Sequence, residues 1–306
     1  MTPTYLLDKN ANNIYIKRED LISFSFGGNK ARKAKYFFEQ IDSGNYDAIV
    51  TYGSGSSNHC RIVANMAKQR NLECIVISPL EENKQTYNSQ MVRLFGAKVI
   101  VVPVDDVHQT IEDTIAMLKK NNKRVYFIPG GGHGILGTKA YVDCFDEILD
   151  FERQINIKFD YIFLATGTGA TQAGLVCGKI INSDKVNIIG ISIARKNSKG
   201  KPVVIESIKE YLDSLSYKYT DEEINNSTIF IDKYTGEGYG KTNNEINNVI
   251  KNNLFKYGIP MDETYTGKAY YGMRNYITEN NIKDKNILFI HTGGTPLFFD
   301  YLKGLR

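Results

Sequence analysis

Short apolar runs alternate with amphipathic segments along most of this 306-residue chain. In the apolar runs the hydrophobic residues are consecutive, as in YDAIV and FDYIFLAT, rather than alternating with polar residues. Consecutive apolar residues are typical of strands that are buried on both faces of a sheet. The segments between them carry apolar residues three and four positions apart, which indicates amphipathic helices. The predicted strands, together with the glycines that end some of them, are 46–55, 72–79, 98–103, 124–134, 159–166, 186–194, 227–232 and 285–294. The predicted helices are 30–44, 57–71, 88–97, 107–122, 135–155, 167–181, 202–215 and 242–258.

The order of these elements predicts the fold class. Strands alternate with helices, so we expect an α/β protein with parallel sheets that helices cover on both faces. In such sheets ligands bind beyond the carboxyl ends of the strands, where loops lead into helices. The segment 195–245 is rich in Asn, Lys and Tyr and is predicted to contain surface loops.

Composition narrows the class of protein further. With 42% hydrophobic and 24% charged residues, the chain has a soluble globular composition, and its length predicts about two domains. The net charge of +4 is spread along the chain, which argues against a nucleic-acid partner. No apolar run approaches the roughly 18 residues of a membrane span, and the start lacks the apolar core of a signal peptide. Four cysteines without a CxxC pair predict reduced thiols and a cytoplasmic location.

The segment ATGTGATQAG, residues 165–174, joins a predicted strand directly to a predicted helix. Gly167 and Gly169 allow a tight turn that points several N–H groups at one place, and Thr168 and Thr171 add hydroxyl groups. Together with the helix dipole these groups would bind an anion such as a phosphate. The segment matches neither the dinucleotide fingerprint nor the Walker A loop. The alternative is an ordinary strand-to-helix turn whose glycines permit close packing.

Two further loops place polar residues after a strand. In GSGSSNH, Ser57 and Asn58 could bind a substrate carboxylate, or the serines could simply cap the following helix. In HTGGTP, Thr292 and Thr295 could line a site or serve as turn residues.

The histidines and cysteines do not fall at metal-ligand spacing, so no metal site is predicted. His133, in GGGHG, is predicted to be structural or to lie beside a substrate.

Lys30 and Lys33 lie three residues apart at the predicted start of the first helix. Two cations stacked there repel each other and the helix dipole, which lowers the pKa of an amine and makes it a usable nucleophile. A phosphate-bearing aldehyde would suit both, with Lys30 bonded to the aldehyde carbon and Lys33 at the phosphate. The alternative is a solvated basic helix face, with Asn29 as the cap and Lys30 in water.

The order of five motifs resembles one known family. The motifs are KREDL followed by GGNKARK, then GSGSSNH, GTGATQAG, MDETYTGKA and HTGGTP, and the match spans residues 17 to 300. This order resembles the D-cysteine desulfhydrase / 1-aminocyclopropane-1-carboxylate (ACC) deaminase family. The resemblance implies pyridoxal 5′-phosphate (PLP) as the cofactor and the tryptophan-synthase-β fold, called fold type II, with PLP in a cleft between two helix-covered parallel-sheet domains.

The resemblance also implies a role for individual residues. Lys30 matches the lysine that forms the Schiff base with PLP, Lys33 a phosphate contact, and Tyr265 the tyrosine that stacks on the cofactor ring. Ser56 departs from the family, which has glutamine there, so the shape of the substrate pocket is open at that point. The implied cofactor contacts are Lys30, Lys33, Asn58, Gly167, Thr168, Gly169, Ala170, Thr171, Tyr265 and Thr292. The implied substrate contacts are Ser57, Asn58, His59 and Thr266, and the implied catalytic residues are Lys30, Ser57 and Tyr265.

Two positions separate the subfamilies within this resemblance. Ring-opening deaminases carry glutamate where this chain has Thr266, and an apolar residue where it has Thr292. A carboxylate beside the pyridine nitrogen would keep the ring protonated and strongly electron-withdrawing, whereas a hydroxyl can only hydrogen-bond. The weaker electron sink still supports β-elimination, because the leaving group takes the electrons.

The implied function is PLP-dependent β-elimination and deamination of a small amino acid, with D-cysteine converted to pyruvate, sulfide and ammonia. The alternatives are ACC deaminase, a lyase that expels another β-substituent such as sulfite from cysteate, a PLP-holding carrier or regulator without activity, and a nucleotide-binding protein without PLP. By resemblance, residues 1–44 and 152–306 form the large PLP-binding domain and residues 45–151 the small one. A homodimer is expected.

Overall fold

A computed structural model describes residues 1–82 and 84–304. The strands are β1 (Thr4–Lys9), β2 (Asn13–Arg18), β3 (Ala48–Tyr52), β4 (Glu73–Pro79), β5 (Lys98–Val102), β6 (Val125–Ile128), β7 (Tyr161–Thr166), β8 (Asn187–Ser192), β9 (Ile229–Ile231) and β10 (Asn286–His291). The helices are α1 (Asn29–Ser43), α2 (Asn58–Gln69), α3 (Tyr87–Leu94), α4 (Val107–Lys120), α5 (Ile135–Ile155), α6 (Ala170–Ile181), α7 (Asn197–Ser214), α8 (Asp221–Ser227), α9 (Asn244–Tyr257), α10 (Thr266–Glu279) and α11 (Thr295–Gly304).

The larger sheet contains both ends of the chain. Its strand order over the described residues is β1-β2-β10-β7-β8-β9. The pairs from β2 to β9 are parallel, with Ile287 opposite both Ile14 and Tyr161. β1 pairs with β2 in the antiparallel direction, so the prediction of purely parallel sheets is wrong at this edge. A short connection between β1 and β2 permits only a hairpin, because a parallel pair needs a long crossover.

β7 shows why its sequence is apolar at every position. Ile162 and Leu164 face the cluster beneath α5, α6 and α7, whereas Phe163 and Ala165 face the cluster that includes residues of α9 and α10. Successive side chains point to opposite faces of a strand, so helices on both faces require an apolar residue at each step.

The smaller sheet is formed by the middle of the chain. It has the order β5-β4-β3-β6 among the described residues, and all three pairings are parallel. Ile49 packs with residues of α1 and α2 on one face, and Val50 packs with residues of α4 on the other. The predicted α/β architecture of parallel sheets covered by helices is therefore confirmed in both sheets, apart from β1.

The sixteen segments predicted as helix or strand all contain the expected element, with shifted ends. α7 begins at Asn197, five residues before Pro202, and Pro202 lies inside the helix. The sequence reading did not predict β1, β2, α8, α10 or α11. α8 makes segment 195–245 more regular than expected, and residues 232–243 form its main irregular part. Within the described residues, no helix is long and apolar enough to cross a membrane.

Candidate active site

A cavity of about 410 Å³ lies beyond the carboxyl ends of strands from both sheets. The loops after β3, β6, β7, β8 and β10 all contribute to its wall. Most of the residues that the sequence singled out therefore come together in one place. The lining residues are Asn29, Lys30, Tyr52, Gly53, Ser54, Ser57, Asn58, His59, Gly130, Gly131, Ala165, Thr166, Gly167, Thr168, Gly169, Thr171, Ile193, Ala194, Arg195, Tyr239, Tyr265, Thr292 and Gly293.

Four helices begin at this cavity. α1 starts at Asn29, α2 at Asn58, α6 at Ala170 and α10 immediately after Tyr265. The first N–H groups of a helix have no acceptor within it, and the helix dipole places partial positive charge at this end. The cavity is therefore suited to a ligand that carries anionic groups.

Lys30 lies in the cavity wall, and its Nζ donates a hydrogen bond of 2.8 Å to the carbonyl oxygen of Gly131. Burial lowers the pKa of Lys30 to about 8. The cap of α1 is Gly28, and Asn29 instead donates from its Nδ2 to Thr171 Oγ1 at 3.0 Å. The alternative in which Asn29 caps the helix and Lys30 extends into water is therefore wrong.

Gly131 brings Lys30 next to the β7–α6 loop. Its φ is +69°, and a Cβ built on it would lie 2.8–2.9 Å from side-chain atoms of Thr168 and 3.0 Å from Lys30 Nζ. Only glycine permits so close an approach at that backbone conformation. The predicted proximity of the Lys30 amine to the glycine turn is thus present in the structure.

Lys33 is buried one helical turn further along α1, with 1% of its surface exposed. It does not line the cavity, and its Nζ has no hydrogen-bond partner within the described part of the chain. Burial, followed by the charge of Lys30, lowers the pKa of Lys33 well below its usual value. An unpaired buried amine is costly, so a nearby anion would stabilise its charged form.

The β7–α6 loop presents backbone rather than long side chains. Gly167, Thr168, Gly169 and Thr171 line the cavity, and Gly169 caps α6 with a φ of +99°. Ala170 begins α6 and is fully buried behind that lining. These residues give the loop the geometry of an anion site at a helix N-terminus.

The β3–α2 loop presents side chains that are held by other side chains. Ser57 caps α2 by accepting from Cys60 N at 3.3 Å. Asn58 Oδ1 accepts from Arg61 Nη1 and from Asn88 Nδ2, each at 2.9 Å. Both bonds end on the oxygen of the Asn58 amide, so its NH₂ group is left as the donor. The sequence reading did not find Asn88 or Arg61, since neither belongs to the loop.

His59 lines the cavity but is also fixed from behind. Its Nε2 lies 2.8 Å from Thr51 Oγ1, and that hydroxyl donates its hydrogen to Ile128 O at 2.7 Å. Thr51 Oγ1 must then accept, so His59 carries a proton on Nε2. Burial and the two neighbouring lysines lower the pKa of His59 well below its usual value, so the ring is neutral and Nδ1 is an acceptor.

Tyr265 contacts Tyr239, which the sequence analysis did not predict as a site residue. The hydroxyl oxygens of Tyr265 and Tyr239 are 2.7 Å apart, and their rings meet edge to face at 6.0 Å. Tyr239 also lies 3.3 Å from Ser54 Oγ and 3.4 Å from Ser56 Oγ. Ser56, which stands where the family has glutamine, therefore contacts this pair. A tyrosine within the glycine-rich run GEGYGK was the available signal for Tyr239.

Thr266 and Thr292 occupy different environments. Thr292 lines the cavity, and its carbonyl accepts from Asn29 N at 2.9 Å. Thr266 is fully buried outside the lining, and its hydroxyl donates to Asp262 Oδ1 at 2.7 Å and accepts from Asp262 N at 2.9 Å. The geometry therefore gives no support to the predicted substrate contact at Thr266, which instead fixes the start of α10 beside Tyr265.

A buried ion-pair network anchors the start of α1. Arg32 bonds to both Glu19 and Glu147, and Lys17 bonds to Glu147 at 2.7 Å. Glu19, Glu147 and Cys144 place possible metal-ligand atoms within 4.8 Å of one another. The two carboxylates are already paired with cations, and burial raises the pKa of the Cys144 thiol. This network therefore positions α1, and with it Lys30.

The residues present fit PLP. The aldehyde requires an amine, which Lys30 provides, and the phosphate requires N–H and hydroxyl donors, which the start of α6 provides. Thr166 Oγ1, on the cavity lining, and Lys33 Nζ are both buried without a hydrogen-bond partner in the described structure. Together the fold and the site define an α/β enzyme with an anion-binding cleft and a buried amine.

The comparisons with known proteins identify the family. Residues 1–293 match the pyridoxal-phosphate dependent enzyme family, and the chain belongs to it. A D-cysteine desulfhydrase from Serratia proteamaculans is 31% identical over 304 residues, covering 97% of this chain and 91% of that protein. A relative from Pyrococcus horikoshii, named "Putative 1-aminocyclopropane-1-carboxylate deaminase", is 33% identical over 293 residues, covering 94% and 86%. A crystal structure of an ACC deaminase homologue superposes with a TM-score of 0.88 at 30% identity, over 99% of this chain and 92% of that one. The predictions of fold type II, of PLP and of a PLP-dependent lyase or deaminase are confirmed.

Proposed function

We propose that this chain catalyses β-elimination from D-cysteine, converting D-cysteine and water to pyruvate, hydrogen sulfide and ammonia. The observation that carries the proposal is the juxtaposition of the Lys30 amine, with its lowered pKa, and the anion-binding start of α6 in one cavity. The similarity to a D-cysteine desulfhydrase supports the choice of substrate. Position 266 carries no carboxylate, and the cavity is lined at position 292 by a threonine in place of an apolar residue, which favours elimination over ring opening.

Under this proposal the chain's residues hold PLP as follows. Lys30 would hold the aldehyde, the segment 167–171 and Lys33 would hold the phosphate, and Asn58, Tyr265 and Thr292 would contact the ring. The chemistry that PLP would supply here is the withdrawal of electrons from the substrate Cα.

Lys30 is our first candidate for the base that removes the α-proton, and Ser57 and Tyr265 are the alternatives. A pKa of about 8 leaves a usable fraction of neutral amine near neutral pH. The start of α2, with Ser57 and Asn58, binds the substrate carboxylate. The tyrosine pair lies on the same cavity and is our candidate for protonating the leaving sulfur. The released 2-aminoacrylate then hydrolyses to pyruvate and ammonia.

The test is a substrate panel with the purified protein and PLP. We expect a visible absorbance from bound PLP and the release of pyruvate and sulfide from D-cysteine. The kcat/KM for pyruvate release should be higher with D-cysteine than with L-cysteine, β-chloroalanine, serine or cysteate, and the panel also contains ACC. Absence of pyruvate from every sulfur-bearing or chlorinated substrate would refute β-elimination. Bound PLP with no turnover of any substrate would favour the carrier or regulator.

Ring opening is the second candidate, and the superposition on an ACC deaminase homologue favours it. In the same panel it predicts 2-oxobutyrate from ACC and no sulfide from D-cysteine. A lyase that expels sulfite is the third, because Arg195 places a cation at the cavity where a sulfonate could bind. It predicts pyruvate and sulfite from cysteate.

We also propose the division into a large domain (residues 1–44 and 152–306) and a small domain (residues 45–151), a homodimer, and a cytoplasmic location. The two sheets support the division in outline, since β3 to β6 form the smaller one. The proposed boundary near residue 151 lies within α5, and α5 packs closely against α6 of the large domain. The four cysteines are free and buried, in keeping with a reducing compartment. Light scattering of the purified protein tests the dimer.

A further inference from the structure

Lys268, on the first turn of α10, has an unusual set of hydrogen-bond partners. Its side chain is fully buried. Its Nζ donates to three backbone carbonyl oxygens, those of Ile193 at 3.0 Å, Thr235 at 2.8 Å and Gly238 at 2.9 Å. None of these three partners is a carboxylate, so the arrangement is not an ion pair.

The three carbonyls match the ammonium group in number and chemistry. A protonated lysine has three donors and no acceptor, so each hydrogen meets one oxygen. Converging backbone carbonyls are also how proteins replace the hydration shell of a monovalent cation. Burial lowers the pKa of Lys268 to about 8, as expected for a cation that has lost its water.

The carbonyls belong to two different parts of the cavity wall. Ile193 follows β8 and lines the cavity directly. Thr235 and Gly238 lie in the irregular segment 232–243. Gly238 directly precedes Tyr239, whose hydroxyl oxygen is 2.7 Å from that of Tyr265. Lys268 is therefore the link between the β8 wall and the segment that carries Tyr239.

That segment needs an external anchor. Gly236, Gly238 and Gly240 all have positive φ, and a Cβ built on Gly236 or Gly238 would meet nothing within 4 Å. Glycines supply no packing side chain and leave the unfolded chain many conformations, so a loop built from them is entropically costly to order. Three hydrogen bonds from one buried cation offset part of that cost.

We propose that Lys268 is a positioning residue that acts as a built-in monovalent cation, holding the Tyr239 segment against the active-site cavity. A cation carried on the chain removes any need for one from solution. The structural part of this proposal is independent of the proposed function, and only the activity measurement below depends on it.

The test is Lys268→Met, because methionine reaches the Cε position of lysine and leaves the place of Nζ open. Without the ammonium group, an added cation that is small enough to occupy the position of Nζ should bind to the three carbonyl oxygens. Hydrogen exchange is measured on the protein without substrate, in KCl, NH₄Cl or tetramethylammonium chloride at one matched ionic strength of about 100 mM. The control is Arg274→Met, which removes a positive charge from an exposed position of the same helix.

In tetramethylammonium chloride, we expect the amides of residues 235–240 in Lys268→Met to exchange about tenfold faster than in the wild type. KCl or NH₄Cl should restore them to within about twofold of wild type, and tetramethylammonium is too large to do so. The wild type and Arg274→Met should not respond to the choice of cation. With D-cysteine, kcat of Lys268→Met should fall about tenfold and recover in KCl.

Several results would overturn the proposal. These are unchanged exchange in Lys268→Met, faster exchange that potassium and ammonium fail to reverse, or equal rescue by tetramethylammonium. If Lys268→Met does not fold, Lys268→Gln keeps two N–H donors without the charge and is tested in the same salts. Failure of both variants to fold in every salt would show a purely structural role. If no substrate is turned over while the exchange results are as expected, the positioning role stands and the proposed function falls.

Discussion

The two sides of the active-site cavity are built in opposite ways. One side, which we call the glycine wall, consists of Gly131 and residues 167–171 and presents mainly backbone. The other, the amide wall, consists of Ser57 and Asn58 and presents side chains, and the side chain of Asn58 is held from behind by those of Arg61 and Asn88. The glycine wall depends on backbone conformations that its own residues permit. The amide wall depends on Asn88, which lies 30 positions from Asn58 in the chain.

This difference indicates that the cofactor phosphate and the substrate are bound by different kinds of group. A phosphate is a fixed anion, so main-chain N–H groups at a helix start suffice to bind it. A small amino-acid substrate must be oriented, which requires a directional donor such as the NH₂ of Asn58. Mutations in the glycine wall should therefore alter cofactor affinity first, and mutations in the amide wall should alter substrate KM first.

The largest effect is expected from Lys30→Ala, which removes the amine that lies between the walls. Turnover should fall by about 10⁴-fold or more, because covalent attachment and proton transfer are both lost. The visible absorbance of bound PLP should disappear with it. Lys35→Ala, at an exposed position of the same helix, is the control and should retain both. Retention of both properties by Lys30→Ala would mean that the site is assigned wrongly.

Gly131→Ala should break the glycine wall. The new Cβ would lie about 3 Å from both Thr168 and Lys30 Nζ, at a φ of +69°. We expect PLP affinity to fall about 30- to 100-fold, measured by titrating the apoprotein with PLP.

Gly134→Ala is a matched control for that experiment. Gly134 has a φ of +96° in the same loop, and a Cβ there would meet nothing within 4 Å. It carries backbone strain without the collision, so its PLP affinity should change less than tenfold. Equal losses in the two variants would attribute the effect to strain and not to the close approach.

Asn88→Ala should break the amide wall. It removes the 2.9 Å bond to Asn58 and the 2.8 Å bond to Arg61, so the Asn58 amide loses one of its two donors and Arg61, the other donor, is itself held less firmly. We expect KM to rise about 30-fold, which corresponds to about 2 kcal/mol, and PLP affinity to fall by less, since Asn58 is one of several proposed PLP contacts. Asn253→Ala is the control, since Asn253 is buried in α9 away from the cavity. A larger loss of PLP affinity than of substrate KM would contradict the division of roles.

The smallest effect is expected in the pH dependence of PLP uptake, which tests the lowered pKa of Lys30. Burial lowers the pKa of Lys30 to about 8, so the neutral amine grows as pH rises through 8 and the ammonium dominates below it. The rate at which the apoprotein takes up PLP should rise about tenfold between roughly pH 7 and 9 and then level off. Stopped-flow absorbance measures it. A rate still rising steeply near pH 10 would show an ordinary, solvated lysine.

From the glycine wall, the sequence singled out residues 167–171 as a candidate anion site but not Gly131, and from the amide wall it singled out Ser57 and Asn58 but not the supporting Arg61 and Asn88. Glycines between a strand and a helix indicate a tight turn from the local sequence alone, so the 167–171 loop could be recognised without the tertiary structure. Asn88 and Tyr239 become part of the site only when separate segments meet. Asn88 lies within a predicted helix, and Tyr239 lies seven residues after the end of the predicted strand 227–232. The substrate contact expected at Thr266 lacks geometric support because Asp262, four residues earlier, satisfies its hydroxyl.

What the sequence indicated by itself was the order of most strands and helices, the class of fold and Lys30 as the candidate reactive amine. Each of these depends on local periodicity or on short motifs, because apolar spacing sets which faces are buried. The tertiary structure alone decided that Lys30 meets Gly131, that Asn88 orients Asn58, and that Lys268 holds the Tyr239 segment. Those contacts join residues far apart in the chain, and their hydrogen bonds exist only after the sheets and helices have packed.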